Sequence, residues 1–318
     1  MKKALIFGIS GQDGSYLSKL LIEKGYEVWG ISRDIKNCIK NLELMEISES
    51  ISLLELNHFT INELKKILDI ASPDEIYYLS GPSSVSLSLN DPYQTISYSI
   101  NGVLNLLEAV RLYKQDCKMF FAGSGECFQD MGDKLISEKT PFNPSNPYGV
   151  AKSSQFLIIQ NYREMYNINA CVGILFNHES PLRGSGFVTT KIFQTIARIA
   201  SGSNEKLELG SIDVIRDWGW APEYVEAMWL MLQNNHIDDY IIASGESHSL
   251  ESFVNKAFKF YDLSWKDHTV QRNQFMRDYE VKTVRTDPSK IKNFLGWKAT
   301  SKIDKIVKNL SIYFQISD

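Results

Sequence analysis

The sequence of 318 residues has no long apolar run and no cluster of basic residues. No run approaches the roughly 18 apolar residues that a transmembrane helix needs, so we expect no membrane span. The formal net charge is −4, and neither lysine nor arginine forms a run, which argues against a nucleic-acid-binding surface. The first residues, Met1-Lys2-Lys3, lead directly into an apolar stretch, so we expect no signal peptide.

Metal-binding patterns and internal repeats are also missing from the sequence. The four cysteines, at positions 38, 117, 127 and 171, lack metal-ligand spacing, and the five histidines are scattered. We therefore expect no metal site. Scattered, unpaired cysteines suit a reducing compartment, so we expect a cytoplasmic protein.

A glycine-rich turn near the start of the chain carries the first functional signal. Residues 4–7 form an apolar run typical of a buried strand, and apolar residues recur at helical spacing from residue 16 onward. Gly8, Gly11 and Gly14 lie between them, with the spacing G-x-x-G-x-x-G. Such a turn brings backbone N–H groups and the positive end of a helix close to an anion. The segment therefore predicts a site for a dinucleotide cofactor.

The end of the second predicted strand bears on which cofactor binds. Residues 26–31 predict that strand, and Ser32 and Arg33 follow it. In NAD-binding Rossmann units an acidic residue near this position binds the adenosine ribose. Arginine instead suits a 2′-phosphate, which its guanidinium can bind through two hydrogen bonds, so the sequence favours NADP. The alternative is that Arg33 is a solvated loop residue and that Asp34 faces the ribose.

Strands and helices alternate through the first half of the chain, and this alternation predicts the fold class. We expect an α/β protein with a doubly wound, Rossmann-type parallel sheet in residues 1–175. Residues 176–318 would form a smaller C-terminal substrate lobe, with a segment near 212–232 crossing back to the first domain. The predicted elements between residues 52 and 122 are strands at 52–56, 75–79 and 118–122 and helices at 61–70 and 92–113.

Two short segments supply reactive side chains. Ser124 and Glu126 follow a predicted strand, and Tyr148 and Lys152 are four residues apart on a helix that Pro147 is suited to begin. The ammonium group of Lys152 would lower the pKa of Tyr148, which could then act as an acid or a base. Glu126 would add the second proton-transfer group that an elimination requires. The alternatives are an exposed tyrosine–lysine helix pair and a surface glutamate.

Several longer segments, in order along nearly the whole chain, match the motifs of one enzyme family. They are residues 8–17, 175–181, 187–192, 209–229 and 277–290. The sequence resembles the GDP-mannose 4,6-dehydratases, which are extended short-chain dehydrogenases/reductases. The resemblance implies that Tyr148 takes the proton of the hexose 4-hydroxyl while hydride passes to NADP. It further implies that Glu126 removes the C5 proton and assists loss of water from C6, giving GDP-4-keto-6-deoxymannose.

The resemblance also implies which residues bind the ligands. The catalytic residues would be Ser124, Glu126, Tyr148 and Lys152, and Ser124 would hold the 4-oxygen. Besides Tyr148 and Lys152, the expected cofactor contacts are Gly8, Gly11, Gln12, Asp13, Gly14, Arg33, Glu55, Leu56, Leu79, Ser80 and Gly81. The expected contacts with the GDP-sugar are Ser83, Ser84, Asn177, Val188, Lys191, Arg216, Arg277 and Glu280. The arginines suit a diphosphate, whereas Val188 and Lys191 could be a core valine and a solvated lysine.

The reaction type and the assembly remain open at this level. An epimerase or 4-keto reductase of the same fold would use Tyr148 and Lys152 without needing Glu126. A catalytically silent nucleotide-binding regulator is a third hypothesis, against which the intact set of four side chains argues. The resemblance implies a homodimer through the helices at 92–113 and 147–166. A tetramer is an alternative, although the segment after Arg33 is shorter than in the family.

Overall fold

The structure, a computed structural model, describes residues 1–35, 39–113, 116–276 and 280–316. Its strands are β1 Lys3–Phe7, β2 Glu27–Ser32, β3 Ile51–Glu55, β4 Glu75–Tyr78, β5 Lys118–Ser124, β6 Ala170–Leu175, β7 Asn177–Glu179, β8 Leu207–Leu209, β9 Ile215–Trp220, β10 Tyr240–Ile242, β11 Ser247–Ser249 and β12 Thr269–Gln271. Its α-helices are α1 Gln12–Glu23, α2 Lys40–Leu44, α3 Ile61–Ala71, α4 Val85–Asn90, α5 Pro92–Tyr113, α6 Pro147–Tyr166, α7 Val188–Ala200, α8 Ala221–Gln233, α9 Leu250–Lys259, α10 Trp265–His268, α11 Ser289–Leu295 and α12 Ile303–Ile316.

A seven-stranded parallel sheet forms the centre of the molecule. The strands are ordered β3-β2-β1-β4-β5-β6-β10, and every neighbouring pair is parallel. The chain first builds outward from β1 to β3, then returns to β4 and builds in the other direction. In such sheets ligands bind beyond the carboxyl ends of the strands, where the order reverses. The predicted doubly wound fold is therefore confirmed, with its switch point between β1 and β4.

Alternation along β1 explains why helices cover both faces of the sheet. Leu5 and Phe7 pack on one face with apolar residues of α3 and α5, whereas Ala4 and Ile6 pack on the other with residues of α1 and α8. All four side chains are fully buried. Burial of each large apolar side chain contributes about 1.5–3 kcal/mol, so the two layers hold the glycine turn after β1 in a fixed place.

The second half of the chain forms small sheets and a separate core, and parts of it return to the large sheet. β11, β9 and β7 form one sheet, β12 and β8 form another, and α7, α9 and α12 pack around a third apolar cluster. Helix α8 lies in the core beside α1. Strand β10 also returns, since it pairs with β6, and this return was not predicted from the sequence. No helix within the described ranges combines the length and the apolar character that crossing a bilayer requires.

Candidate active site

The glycine turn after β1 allows three backbone segments to approach closely. Gly8 has a φ of +84°, and a Cβ there would lie 2.9 Å from the carbonyl carbon of Leu79. A Cβ on Gly14 would lie 2.3 Å from the carbonyl oxygen of Gly8, so no larger residue fits. Gly11 caps α1 without a side chain, which leaves the N–H groups of the first helical turn directed at the sheet edge. This arrangement fits the diphosphate of a dinucleotide.

The side chains of Gln12 and Asp13 bind other residues of the chain, although both residues are expected to contact the cofactor. Gln12 accepts a hydrogen bond from Ser180 Oγ at 2.7 Å and donates one to the carbonyl of His178 at 3.1 Å. The Asp13 carboxylate contacts Nε2 of His178 at 2.9 Å. Because both side chains are engaged by residues 178–180, the contact that these residues can offer a cofactor comes from their backbone N–H groups.

The remaining expected cofactor residues line the carboxyl ends of β2, β3 and β4. Arg33 and Glu55 are both exposed, and Glu55 lies opposite Ser32 in the register of β2 and β3. Leu56 is buried, whereas Ser80 and Gly81 follow β4 beside the glycine turn. The structure therefore places these residues along one edge, on both sides of the switch point. Leu79 joins them through its backbone contact with Gly8.

Ser83 and Ser84 lie in the segment that follows β4. Ser83 is exposed. The hydroxyl oxygen of Ser84 accepts the N–H of Leu87 at 3.3 Å and so caps α4. It also lies 2.9 Å from the hydroxyl of Ser86. Ser84 thus has a structural role in addition to the substrate contact expected from the sequence.

Ser124, Glu126 and Tyr148 converge where β5 ends and α6 begins. Ser124 is the last residue of β5, and its buried hydroxyl accepts the N–H of Glu126 at 3.2 Å and hydrogen-bonds Tyr148. Tyr148 lies in the first turn of α6 and is 8% exposed. The Glu126 carboxylate accepts a hydrogen bond at 2.8 Å from the amide of Asn146, the cap residue of α6.

Two neighbours that sequence reasoning missed hold Glu126 in this position. Asn146 caps α6 by accepting the N–H of Gly149 at 2.8 Å, and its amide donates to Glu126 Oε2, also at 2.8 Å. A Cβ on Gly149 would lie 2.3 Å from the carbonyl oxygen of Glu126. Asparagine directly before the helix-starting Pro147 was the available signal for the cap, but nothing in the sequence shows that its amide reaches Glu126.

Burial changes the proton affinities of Tyr148 and Lys152. It raises the pKa of Tyr148 above its ordinary value; the hydrogen bond with Ser124 acts in the opposite direction, and Glu126 raises it further. Burial also lowers the pKa of Lys152 to about 8. Lys152 Nζ donates to the carbonyl of Ala122 at 2.7 Å and lies 5.8 Å from the centroid of the Tyr148 ring. The expected lowering of the Tyr148 pKa is therefore wrong for this structure, because burial is the largest effect on it. The positive charge that acts to lower this pKa is that of Arg183.

Arg216 and Glu280, both expected at the nucleotide sugar, lie together. Arg216 Nη2 is 3.6 Å from Glu280 Oε1, and Nη1 donates to the carbonyl of Ile215 at 2.9 Å. Asp130, which sequence reasoning missed, accepts the N–H of Lys282 at 2.8 Å, and the charge of Arg216 contributes to its lowered pKa against the effect of burial. Arg277 lies outside the described residues.

Asn177, Val188 and Lys191 belong to the β7–α7 region. Asn177 begins β7, and Val188 is the first residue of α7 and is 39% exposed. Lys191 Nζ lies 4.0 Å from the centroid of the Phe275 ring, and burial lowers its pKa. Lys191 also lines a cavity of about 460 Å³ whose other charged residues are Arg198, Glu205, Lys206 and Glu208. Neither Val188 nor Lys191 is fully solvated or fully buried, so both remain available to a ligand.

Comparison with known proteins assigns the chain to a family. The model of the GDP-mannose 4,6-dehydratase family matches residues 5–310. GDP-mannose 4,6-dehydratase 1 of Arabidopsis thaliana is 42% identical over 318 residues, covering 96% of this chain and 88% of the plant protein. Two solved structures share the fold. DesIV, the dTDP-glucose 4,6-dehydratase of Streptomyces venezuelae with NAD bound, has a TM-score of 0.86 at 16% identity, covering 99% of this chain and 97% of that one. RMD of Pseudomonas aeruginosa, complexed with NADPH, has a TM-score of 0.81 at 21% identity over the whole of both chains.

The family model and the plant relative each extend over nearly the whole chain. The chain belongs to the GDP-mannose 4,6-dehydratase family.

Proposed function

We propose that this protein is a hydro-lyase that converts GDP-mannose to GDP-4-keto-6-deoxymannose, with Ser124, Glu126, Tyr148 and Lys152 as its catalytic residues. The observation that carries the proposal is the placement of Glu126. Asn146 holds its carboxylate at 2.8 Å, beside Tyr148 at the start of α6. A simple redox enzyme has no use for a second proton-transfer group at this point.

Different side chains of the protein would carry out different steps of the reaction. Ser124 holds the 4-oxygen of the hexose, and Tyr148 accepts the proton of the 4-hydroxyl. The nicotinamide cofactor, when bound, accepts the hydride of C4 and returns it at C6, so no reductant is consumed. The ketone at C4 acidifies the proton at C5, which Glu126 removes. Glu126 then gives this proton to the hydroxyl that leaves C6 as water, which balances the elimination. The return of hydride at C6 requires a proton at C5, and the proton that Tyr148 took from the 4-hydroxyl balances this last step.

Lys152 supplies a positive charge close to the ring of Tyr148. Its Nζ lies 5.8 Å from the ring centroid and is held by the Ala122 carbonyl. Because burial raises the pKa of Tyr148, the phenolate needs the stabilisation that such a charge provides. The lowered pKa of Lys152, about 8, means that the residue can also release a proton near neutral pH. Lys152 can therefore pass the proton of the 4-hydroxyl onward.

The two halves of the chain would bind different parts of the reactants. Residues 1–175 would hold the cofactor along the edge that runs from Arg33 to Gly81. Residues 176–318 would hold the nucleotide sugar, with Arg216 suited to its diphosphate. Arg216 is 14% exposed and already faces Glu280, so binding a diphosphate there exchanges one anionic partner for another.

We infer that the cofactor is NADP because Arg33 is exposed at the end of β2. Its guanidinium can pair with a 2′-phosphate through charge-assisted hydrogen bonds. We expect NADP⁺ to bind more tightly than NAD⁺ and Arg33→Ala to reduce this preference by roughly tenfold or more. Binding calorimetry with both cofactors measures the preference, with Asp34→Asn as the matched control. Tighter binding of NAD⁺ to the unchanged protein would contradict the inference.

The protein would act in the cytoplasm as a homodimer. The three cysteines within the described ranges, Cys117, Cys127 and Cys171, are buried and unpaired, as suits a reducing compartment. The dimer would use α5 and α6, which pack together and carry large exposed apolar side chains: Tyr93, Tyr98, Leu112, Val150, Leu157, Met165 and Tyr166. A tetramer would need a further surface near Arg33, where residues 36–38 lie outside the described ranges.

The activity is tested by incubating the purified protein and NADP⁺ with a panel of GDP-, UDP- and CDP-sugars. Mass spectrometry should show loss of one water from GDP-mannose without net change in the reduced cofactor. Stoichiometric consumption of the reduced cofactor with a keto sugar would identify a reductase instead. A change of stereochemistry without loss of mass would identify an epimerase.

A further inference from the structure

A buried pair of polar side chains, Asp13 and His178, joins the glycine turn to strand β7. Nε2 of His178 lies 2.9 and 3.0 Å from the two carboxylate oxygens of Asp13, and Nδ1 lies 2.7 Å from the carbonyl oxygen of Phe176. The His178 side chain is 10% exposed and that of Asp13 is 18% exposed. The imidazole also stacks on the ring of Tyr224, with 4.7 Å between the ring centroids. The pair therefore lies inside the molecule, between the cofactor side and the sugar side.

Oxygen atoms face both ring nitrogens of His178. Each ring nitrogen faces an oxygen that can only accept, as long as Asp13 is ionised. Although burial acts to raise the pKa of Asp13, the facing His178 and the charge of Arg183 hold it below its usual value. The Asp13 carboxylate and the Phe176 carbonyl therefore hold the imidazole from opposite sides. A buried polar pair contributes little to stability compared with apolar residues of the same volume, so we look to a role other than stability for Asp13 and His178.

Neighbouring side chains connect the same two segments. Ser180 donates to the Gln12 side chain at 2.7 Å, and Gln12 donates to the carbonyl of His178 at 3.1 Å. Arg183 also donates to that carbonyl, and its guanidinium carbon lies 4.2 Å from the centroid of the Phe187 ring. Phe187 is the cap of α7, whose first turn is expected to contact the nucleotide sugar. A continuous series of contacts thus runs from the cofactor turn to the start of α7.

We propose that the Asp13–His178 pair couples the two binding sites, so that NADP and GDP-mannose each strengthen the binding of the other. Asp13 lies in the first turn of α1, so a diphosphate held by the N–H groups of that turn also fixes the Asp13 side chain and, through it, His178. His178 is flanked by Asn177, so ordering β7 orders a residue expected at the sugar. His178 is a positioning residue, and its role rests on the two ligands of the proposed function.

The test measures the dissociation constant of NADP⁺ by calorimetry with and without saturating GDP-mannose, in a Tyr148→Phe parent in which turnover is blocked. The ratio of the two constants is the coupling factor, and the same factor must appear when GDP-mannose is titrated instead. We expect a factor of roughly fivefold or more in the parent. His178→Gln and Asp13→Asn, each added to the parent, should bring the factor close to one. Because the two variants change different members of the pair, misfolding of one variant still leaves the other to test the proposal.

Asp239→Asn is the matched control. It breaks a largely buried ion pair elsewhere, with Arg163 at 2.7 Å, near the far end of α6. We expect it to lower the melting temperature while leaving the coupling factor unchanged. The inference is overturned if both pair variants keep the parent's factor, if Asp239→Asn lowers it equally, or if the parent binds both ligands without coupling. A parent that binds neither ligand would overturn the proposed function itself, and the inference with it.

Discussion

Three neighbouring residues determine the position of Glu126. Ser124 accepts its N–H, Asn146 donates to its carboxylate, and the missing side chain of Gly149 allows its carbonyl to lie against α6. Ser124 also hydrogen-bonds Tyr148, and Asn146 and Gly149 belong to the start of the helix that carries Tyr148. The acid and the base of the proposed reaction are therefore positioned as one unit.

The lowered pKa of Lys152 should be measurable in the pH dependence of the free energy of unfolding. Its pKa is lowered by burial to about 8 in the folded protein, from 10.5. Below pH 8 the residue is protonated in both the folded and the unfolded states, so the full cost of burying its charge is present. As the pH rises from 8 toward 10.5, the folded state loses the proton first and the cost is relieved.

Replacing Lys152 with methionine removes this cost. The stability of Lys152→Met relative to the unchanged protein should therefore be highest near pH 7 and should fall by on the order of 3 kcal/mol by about pH 10.5. Urea unfolding of both proteins across this range measures the difference, because the other titrating groups cancel between them. A difference that stays constant with pH would contradict the lowered pKa.

Helix α6 is fixed at both ends, which is why it can hold Tyr148 and Lys152 against the sheet. Asn146 and Pro147 begin it, and Arg163 in its last turn pairs with Asp239 through two hydrogen bonds of 2.9 and 2.7 Å. Asp239 also accepts the N–H of Val172 at 2.7 Å. The helix is thus tied to β6 at one end and to the Glu126 turn at the other.

A methyl group at position 149 should separate α6 from the Glu126 turn. Its Cβ would lie 2.3 Å from the carbonyl oxygen of Glu126 and 2.9 Å from Cβ of Pro144. Gly149→Ala should cost about 1–3 kcal/mol of unfolding free energy through overpacking. The shift of Glu126 should reduce kcat more than it raises KM. Denaturant unfolding and steady-state kinetics provide both measurements.

Gly186→Ala is the control for stability, because a Cβ at Gly186 meets nothing within 4 Å. Its unfolding free energy should stay within about 0.5 kcal/mol of the unchanged protein. Equal stability and unchanged kcat in Gly149→Ala would show that the turn can shift without consequence for the site.

The sequence predicted the elements of the first half closely and those of the second half poorly. The helix from Pro92 to Tyr113 has the predicted bounds, and the strands at β2 and β3 differ by one residue at each end. Apolar runs are clear there because helices cover both faces of the parallel sheet. Strands β7, β8, β10, β11 and β12 have three residues each, too few to show a period.

At the site, too, the sequence indicates some residues and not others. Ser124, Glu126 and Tyr148 could be predicted because motif and spacing identify them. Asn146, Gly149 and His178 act through contacts between distant segments, such as Asp13 with His178, and no local pattern reports such contacts. The pKa of Tyr148 was predicted in the wrong direction because burial cannot be read from the spacing of Tyr148 and Lys152.

At the scale of the whole molecule, the surface of helices α5 and α6 is the region that we propose binds a second copy of the chain. Tyr93 is 79% exposed, Tyr98 66%, Leu157 58% and Met165 64%. Exposed apolar side chains concentrated on two packed helices are typical of a protein–protein interface. A second copy of the chain would cover them with the same surface, as a two-fold dimer requires.

Leu157→Glu should dissociate the dimer. A carboxylate placed in an apolar interface must lose its hydration, and its symmetry mate in the partner would repel it. Sedimentation velocity should show a dimer for the unchanged protein and a monomer for the variant. Phe294→Glu, which changes an equally exposed residue (69%) on α11, should remain dimeric. A Leu157→Glu protein that still sediments as a dimer would place the interface elsewhere.

The central claim is that Glu126 is the group that removes the C5 proton. The direct test is a single turnover of Glu126→Gln with NADP⁺ and GDP-mannose, followed by absorbance of the reduced cofactor and by product mass. Glu164→Gln, at an exposed position on α6, is the control and should lose water normally. Glu126→Gln should bind both ligands and accumulate reduced cofactor with an oxidised sugar that has lost two hydrogens but no water. Formation of the dehydrated sugar at the rate of the unchanged enzyme would contradict the account.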